Sequence, residues 1–337
     1  MRAFVLTGPG ESEVQDVGAP VAGAGQVVID VQRVGVCGTD VEFFTGEMQY
    51  LHEGFAEYPL RLGHEWMGTV ASVGDGVDPD WIGRRVTGDT MLGCGVCRRC
   101  LRGNQHVCEF RYEVGIRGGF AGALAEQLAM PATALHALPD SVDDELGALV
   151  EPGGNALRSV RGANLAEGDR LLVLGPGTIG LLVAMIARAQ GAEVHLVGRS
   201  ARSLEYARGL GFHGVWTESE LPNLPWDAVI DCSNAPALPA QALDLVEPAG
   251  RVVYVGLAGS PSLIDTRTLA LKDVTAVGVL SASPGLAGTI ELYASGAVDP
   301  RPLVAATVGL DEVGAVLAGH RPDGAGLGPK LHVDPRI

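Results

Sequence analysis

The chain is short of aromatics, of positive charge and of cysteine. Phe, Trp and Tyr make up 5% of it, Lys+Arg 24 stand against Asp+Glu 40, and there are 6 cysteines in 337 residues. The deficit of basic residues leaves a formal net charge of -16. Such a field repels nucleic-acid phosphates and acidic membrane surfaces, so neither is expected as a partner. Long apolar runs are missing too. None reaches the ~18 residues that would span a bilayer, and MRAFVLTGPG enters directly on a strand-like pattern with no basic, apolar leader. Internal repeats and low-complexity segments are also lacking. What remains is 47% hydrophobic and long enough for two cores. It is expected in the cytoplasm, where thiols stay reduced, and is expected to act on small molecules.

Four of the cysteines, Cys94, Cys97, Cys100 and Cys108, fall in GCGVCRRCLRGNQHVC. Gly93, Gly95 and Gly103 free the backbone between them, so that four thiolates can turn inward around one ion. A closed all-sulfur shell leaves no position for water or substrate, which makes this a structural zinc site. Two disulfides are the competing reading, but cysteines three apart pair poorly and nothing else in the sequence looks secreted.

The first 150 residues are short β-type runs (VVIDVQRVGV, MGTVASVG, RRVTG) broken by Gly, Pro and Asp, with little helical periodicity. This predicts an irregular β domain over residues 1–151. From Leu171 strand-like and helix-like runs alternate to about residue 280, the pattern of a parallel sheet with helices on its faces. A dinucleotide-binding domain over residues 152–300 follows, with residues 301–337 returning to the first domain.

Between LLVL and a helical run, Gly175, Gly177 and Gly180 form G-x-G-x-x-G, enclosing Thr178 and Ile179. The first glycine permits a tight turn, the second lets backbone amides approach a pyrophosphate, and the third lets the helix pack closely. The helix N-terminus then offers free N–H groups to the phosphates. In NAD-binding folds an acidic residue ends the second strand and meets the ribose 2′-hydroxyl. Here that strand ends in Gly198 and Arg199, with Arg202 beyond. A glycine leaves room for a 2′-phosphate and guanidinium groups can grip it, so NADP is favoured over NAD. Alternatively, the two arginines are solvated helix-start residues.

Other metal-competent residues are Cys37 in VGVCGTD, His64 and Glu65 in GHE, and Glu151 in EPGGN at the domain border. A thiolate, an imidazole and a carboxylate with one open position form a catalytic zinc set. Each alone has a plainer explanation as a packed cysteine, a core histidine or a surface carboxylate.

Together, CGTD at 37–40, GHE at 63–65, the four-cysteine lobe, Glu151-Pro152 and GPGTIG at 175–180 resemble the zinc-dependent medium-chain dehydrogenases, in that family's order and over essentially the whole chain. The resemblance implies an α/β chain made of a GroES-like β domain and a doubly wound Rossmann domain, with two zinc ions and a homo-oligomer, dimer or tetramer. It implies Cys37, His64 and Glu65 as zinc ligands, with Glu151 as fourth ligand or partner of the zinc-bound water. Glu151 stands where alcohol dehydrogenases carry a second cysteine, so the chain looks closer to the sorbitol, threonine and glucose dehydrogenase branches. Thr39 matches the family's hydroxyl relay, with a local turn hydroxyl as its plainer role. Glu42 replaces the histidine that often completes the relay and resembles a sugar-binding Glu of the glucose branch. The expected reaction is hydride transfer between a secondary alcohol of a polyol, sugar or aminocyclitol and the nicotinamide. A simple alcohol or L-threonine dehydrogenase is the alternative, and a non-catalytic NADPH-binding sensor the remote one.

Overall fold

A computed structural model describes residues 1–337. The chain divides into two compact units, Met1–Glu151 with Ile290–Ile337, and Pro152–Thr289. In the first, the β-branched runs form β1 (Gln26–Gly35), then after a helix β2 (Glu65–Val73), β3 (Arg85–Gly88), β4 (Gln127–Pro131) and β5 (Leu135–Ala137). The helix, α1 (Gly38–Thr45), has 8 residues, too few for its period to stand out among strands. Trp66, Phe4, Phe43, Leu62 and Met130 are almost wholly removed from water at the centre of this unit.

The alternating run folds as α2 (Val150–Ala163), β6 (Arg170–Leu174), α3 (Thr178–Ala189), β7 (Glu193–Val197), α4 (Ala201–Gly209), β8 (Gly214–Trp216), β9 (Trp226–Asp231), α5 (Leu238–Leu245), β10 (Val246–Tyr254) and β11 (Thr275–Gly278). Its strands lie in the order β8-β7-β6-β9-β10-β11, each pair parallel. This is a doubly wound Rossmann sheet. Chain direction across it reverses between β6 and β9, and ligands bind at the carboxyl ends of the strands at such a point. β6 reads as an unbroken apolar run because Leu171, Leu172 and Val173 are buried on both faces.

The chain closes with β12 (Val304–Val308) and β13 (Lys330–Val333). They extend the first unit's sheet, β12-β13-β1-β2-β3-β5, in which β4 also pairs with β1. β13 runs antiparallel to β1, setting His332 against Gly35, and so carries Lys330 toward the end of β1. The first unit resumes at Ile290, inside the helix Leu286–Ala294, rather than at the expected Arg301. Tyr293 on that helix is buried, and its hydroxyl donates to the Leu149 carbonyl at 3.2 Å, which ties the segment in early. No helix is long and apolar enough to cross a membrane.

Candidate active site and cofactor site

Cys37 caps α1, and its backbone N–H donates to Asp40 Oδ2 at 2.8 Å. β1 and β2 pair with Gly35 opposite Glu65, and a Cβ on Gly35 would lie 2.1 Å from Glu65 Oε2. Glycine there leaves the volume that the carboxylate fills. The result is that Cys37, His64 and Glu65 offer ligand atoms all within 4.8 Å of one another. His64 and Glu65 are buried.

The surroundings suit a cation. Burial opposes a charge on His64, yet Asp40, with Oδ1 3.6 Å from His64 Nδ1, together with Cys37 and Glu151, raises its pKa well above the histidine range. Neither His64 Nδ1 nor Asp40 Oδ1 has a hydrogen-bond partner. Zinc fits this soft and hard donor set. Glu151 is buried in the first turn of α2 and acts on His64 through its charge; the tight three-residue cluster forms without it.

Sequence reading missed Lys330. Its ammonium donates to Glu65 Oε1 at 2.8 Å, to Oε2 at 2.6 Å and to the Val36 carbonyl at 2.9 Å. All three donors of the buried ammonium are thereby used. A signal was available: Lys330 is one of only two lysines in the chain and sits in the strand-like KLHV.

In the four-cysteine lobe the sulfurs of Cys94 and Cys100 lie 4.0 Å apart, Cys97 and Cys100 3.5 Å, and Cys97 and Cys108 3.8 Å. Four thiolates about 2.3 Å from one ion in a tetrahedron lie about 3.8 Å from one another. All six cysteines are free thiols, so no disulfide pairs them. Backbone N–H groups of Val96 and Cys97 lower the Cys94 thiol to about 6, which favours the ligating thiolate.

Thr39 is half-buried beside Cys37 on α1. Glu42 is also half-buried, and burial, then Glu47, raises its pKa. In residues 43–60 several aromatic side chains are engaged within the protein. Tyr58 donates to the Phe43 carbonyl, Tyr50 donates to Glu113 Oε1 at 3.2 Å, and the Arg117 guanidinium lies 3.9 Å from the Phe55 ring centre.

In the second unit Gly175 adopts φ +100°, and a Cβ on Gly180 would lie 1.9 Å from the Gly175 carbonyl oxygen. α3 begins at Gly177 with no side-chain cap, and beyond its own stretch of chain nothing lies within 4 Å of where a Gly177 Cβ would stand. Thr178 and Ile179 open the helix, whose uncapped N-terminal N–H groups suit a pyrophosphate. Gly198 has a packing reason of its own: a Cβ there would meet Pro176 Cγ at 2.6 Å and Cδ at 2.7 Å. Its lack of a side chain makes room for the glycine-rich turn, so it does not by itself argue for a 2′-phosphate. Arg199 and Arg202 are exposed. Glu193, at the far end of β7, is held by Arg170 at 2.8 and 2.9 Å.

A doubly wound sheet with a phosphate-binding turn, joined to a β unit that gathers metal donors, is the architecture of a dinucleotide-dependent, metal-using oxidoreductase. Residues 23–140 match the alcohol dehydrogenase GroES-like domain, and residues 178–295 match the zinc-binding dehydrogenase family. The chain is 32% identical to an L-threonine 3-dehydrogenase of Idiomarina loihiensis, over 78% of this chain and 79% of that one. It is 32% identical to a sorbitol dehydrogenase of Halalkalibacterium halodurans, over 84% and 85%. A zinc-binding dehydrogenase of Sinorhizobium meliloti bound to NADP shares the fold at a TM-score of 0.88, with 28% identity over 99% of each chain. The chain therefore belongs to the zinc-type medium-chain dehydrogenase/reductase family, and it is an oxidoreductase.

Proposed function

We propose that this protein oxidises a secondary alcohol of a polyol, sugar or aminocyclitol to the ketone, reversibly, with NADP preferred over NAD. The observation that carries the reading is the convergence of Cys37, His64 and Glu65 within 4.8 Å. These three hold a zinc ion, with Glu151 as the further carboxylate. A zinc ion held there would supply Lewis acidity toward the substrate hydroxyl, and a nicotinamide bound at the Gly175 turn would supply the hydride acceptor. The chain's own part is to bind, orient and deprotonate. Lys330 fixes the Glu65 carboxylate, Asp40 positions Cys37 through its backbone N–H, and Thr39 passes the hydroxyl proton toward solvent. Glu42, half-buried on the same helix, hydrogen-bonds further hydroxyls of the substrate.

Carboxylates in place of a second thiolate make a harder donor set, and a zinc ion held by it would suit oxygen ligands such as a pair of vicinal hydroxyls. This favours polyols over simple alcohols. An L-threonine-type dehydrogenase is the second reading, favoured by the Idiomarina relative. The NADP preference rests on Arg199 and Arg202 and on β7 having no carboxylate at its tip. A second zinc, held by Cys94, Cys97, Cys100 and Cys108, shapes the lobe. The working form is a homo-oligomer, dimer or tetramer, in which a second copy covers the exposed edge strand β11.

Elemental analysis tests the site assignment. Wild type should hold two zinc ions per chain. His64→Ala should hold one, stay folded and lose alcohol oxidation, whereas Cys100→Ser should lose the other zinc together with folding yield. A wild type with one zinc or none, purified without chelators, contradicts the site at Cys37, His64 and Glu65.

A further inference from the structure

At the carboxyl end of β7, a hollow of about 390 Å³ is lined by Gly198, Arg199, Thr217, Glu218 and Ser219. Two walls of opposite charge therefore meet in one space. Arg199 makes no hydrogen bond or ion pair with the protein, so its guanidinium is available to a ligand. Glu218 comes from the segment after β8, and Gln241 on α5 donates to its Oε1 at 3.0 Å, which holds the carboxylate in place. Parallel pairing of β7 and β8 sets Val197 beside Trp216, and this brings residue 218 to the strand end where the ribose side of a dinucleotide belongs.

We propose that Glu218 is a specificity-determining residue of the cofactor site, acting against Arg199. The inference rests on the dinucleotide reading of the Gly175 turn. A 2′-phosphate in the hollow carries about two negative charges; it is attracted by Arg199 and repelled by Glu218. A free ribose hydroxyl instead donates to the Glu218 carboxylate. The acidic group that β7 lacks at its tip is thus delivered from the neighbouring strand. The NADP to NAD ratio is set by the balance of one cation and one anion, and the preference for NADP is held below what Arg199 alone would give. The hydroxyls of Thr217 and Ser219 lie 3.2 Å apart on the Glu218 side, and the Thr217 hydroxyl donates to Glu220 Oε2 at 2.8 Å.

Calorimetry with 2′,5′-ADP and 5′-ADP as probes tests this without turnover. Glu218→Gln keeps the size of the side chain and an oxygen for Gln241 to donate to. It should shift the affinity ratio toward 2′,5′-ADP by roughly three- to tenfold, the scale for one partly screened charge facing a dianion. Arg199→Ala should shift the ratio the other way, and both shifts should shrink in high salt. An unchanged ratio in Glu218→Gln, with Arg199→Ala still shifting it, overturns the role of Glu218. A wild type that prefers 5′-ADP while Glu218→Gln still moves the ratio upholds the role of Glu218 and overturns only the NADP preference. Failure of both probes to bind any of the three proteins overturns the placement of the cofactor and the present inference with it.

Discussion

Lys330 and Glu65 form a buried ion pair, with Lys330 Nζ 2.6 Å from Oε2. Removing one partner of such a pair leaves an uncompensated charge in the core. Lys330→Met should therefore lose about 3–5 kcal/mol of stability. Adding Glu65→Gln should recover a large part of that loss, since no charge is then left alone. Chemical denaturation of the wild type, both single variants and the double variant forms a cycle that checks it, and simple additivity would show that the two side chains do not act as a pair. This pair marks the limit of what sequence alone revealed at this scale. Cys37 and His64 were legible because their residue types are themselves the chemistry. Lys330 was not, because its partner lies 265 positions away and only the pairing of β13 with β1 joins them. Gly198 was legible as a missing carboxylate, but its contact with Pro176 was not, since that depends on how two turns pack.

Among elements, the strand and helix alternation was readable because each run is long and uniform in period. The β6-turn-α3 unit carries its own signature in three glycines. Hidden from it was the polar clasp at the start of β6 and β7. Arg170 binds Glu193 through two hydrogen bonds, and His195 adds a third at 2.9 Å. Arg170 first, then His195, lowers Glu193 from 4.5 to about 2. A carboxylate held low in the folded state contributes stability that is present above its unfolded pKa and is lost as pH falls through the folded one. Arg170→Met should therefore be less stable than wild type at neutral pH, with the gap closing between about pH 4.5 and 2. Denaturant midpoints measured across that range check it, and a gap independent of pH would assign the loss to packing instead. The return of the chain at Ile290 was also illegible, since Leu286–Ala294 is one unbroken helix and nothing in its sequence marks where one unit gives way to the other.

For the whole molecule, the sheet of the second unit ends in β11, which pairs only with β10. Nearby in the chain, Leu263 is 91% and Leu271 80% exposed. An uncovered edge and loose apolar side chains call for a second copy. Sedimentation should show a dimer or tetramer, and a monomer at micromolar concentration would contradict the proposed assembly.

A zinc-dependent dehydrogenase that prefers adjacent hydroxyls is tested by its substrate profile. With NADP and NAD supplied in parallel, kcat/KM is measured for a series of polyols, sugars and cyclitols against matched mono-alcohols and L-threonine. Secondary alcohols flanked by a second hydroxyl should be oxidised best, and His64→Ala should abolish the reaction. A clear preference for an unadorned primary alcohol, or no oxidation of any alcohol by zinc-loaded protein, would contradict it.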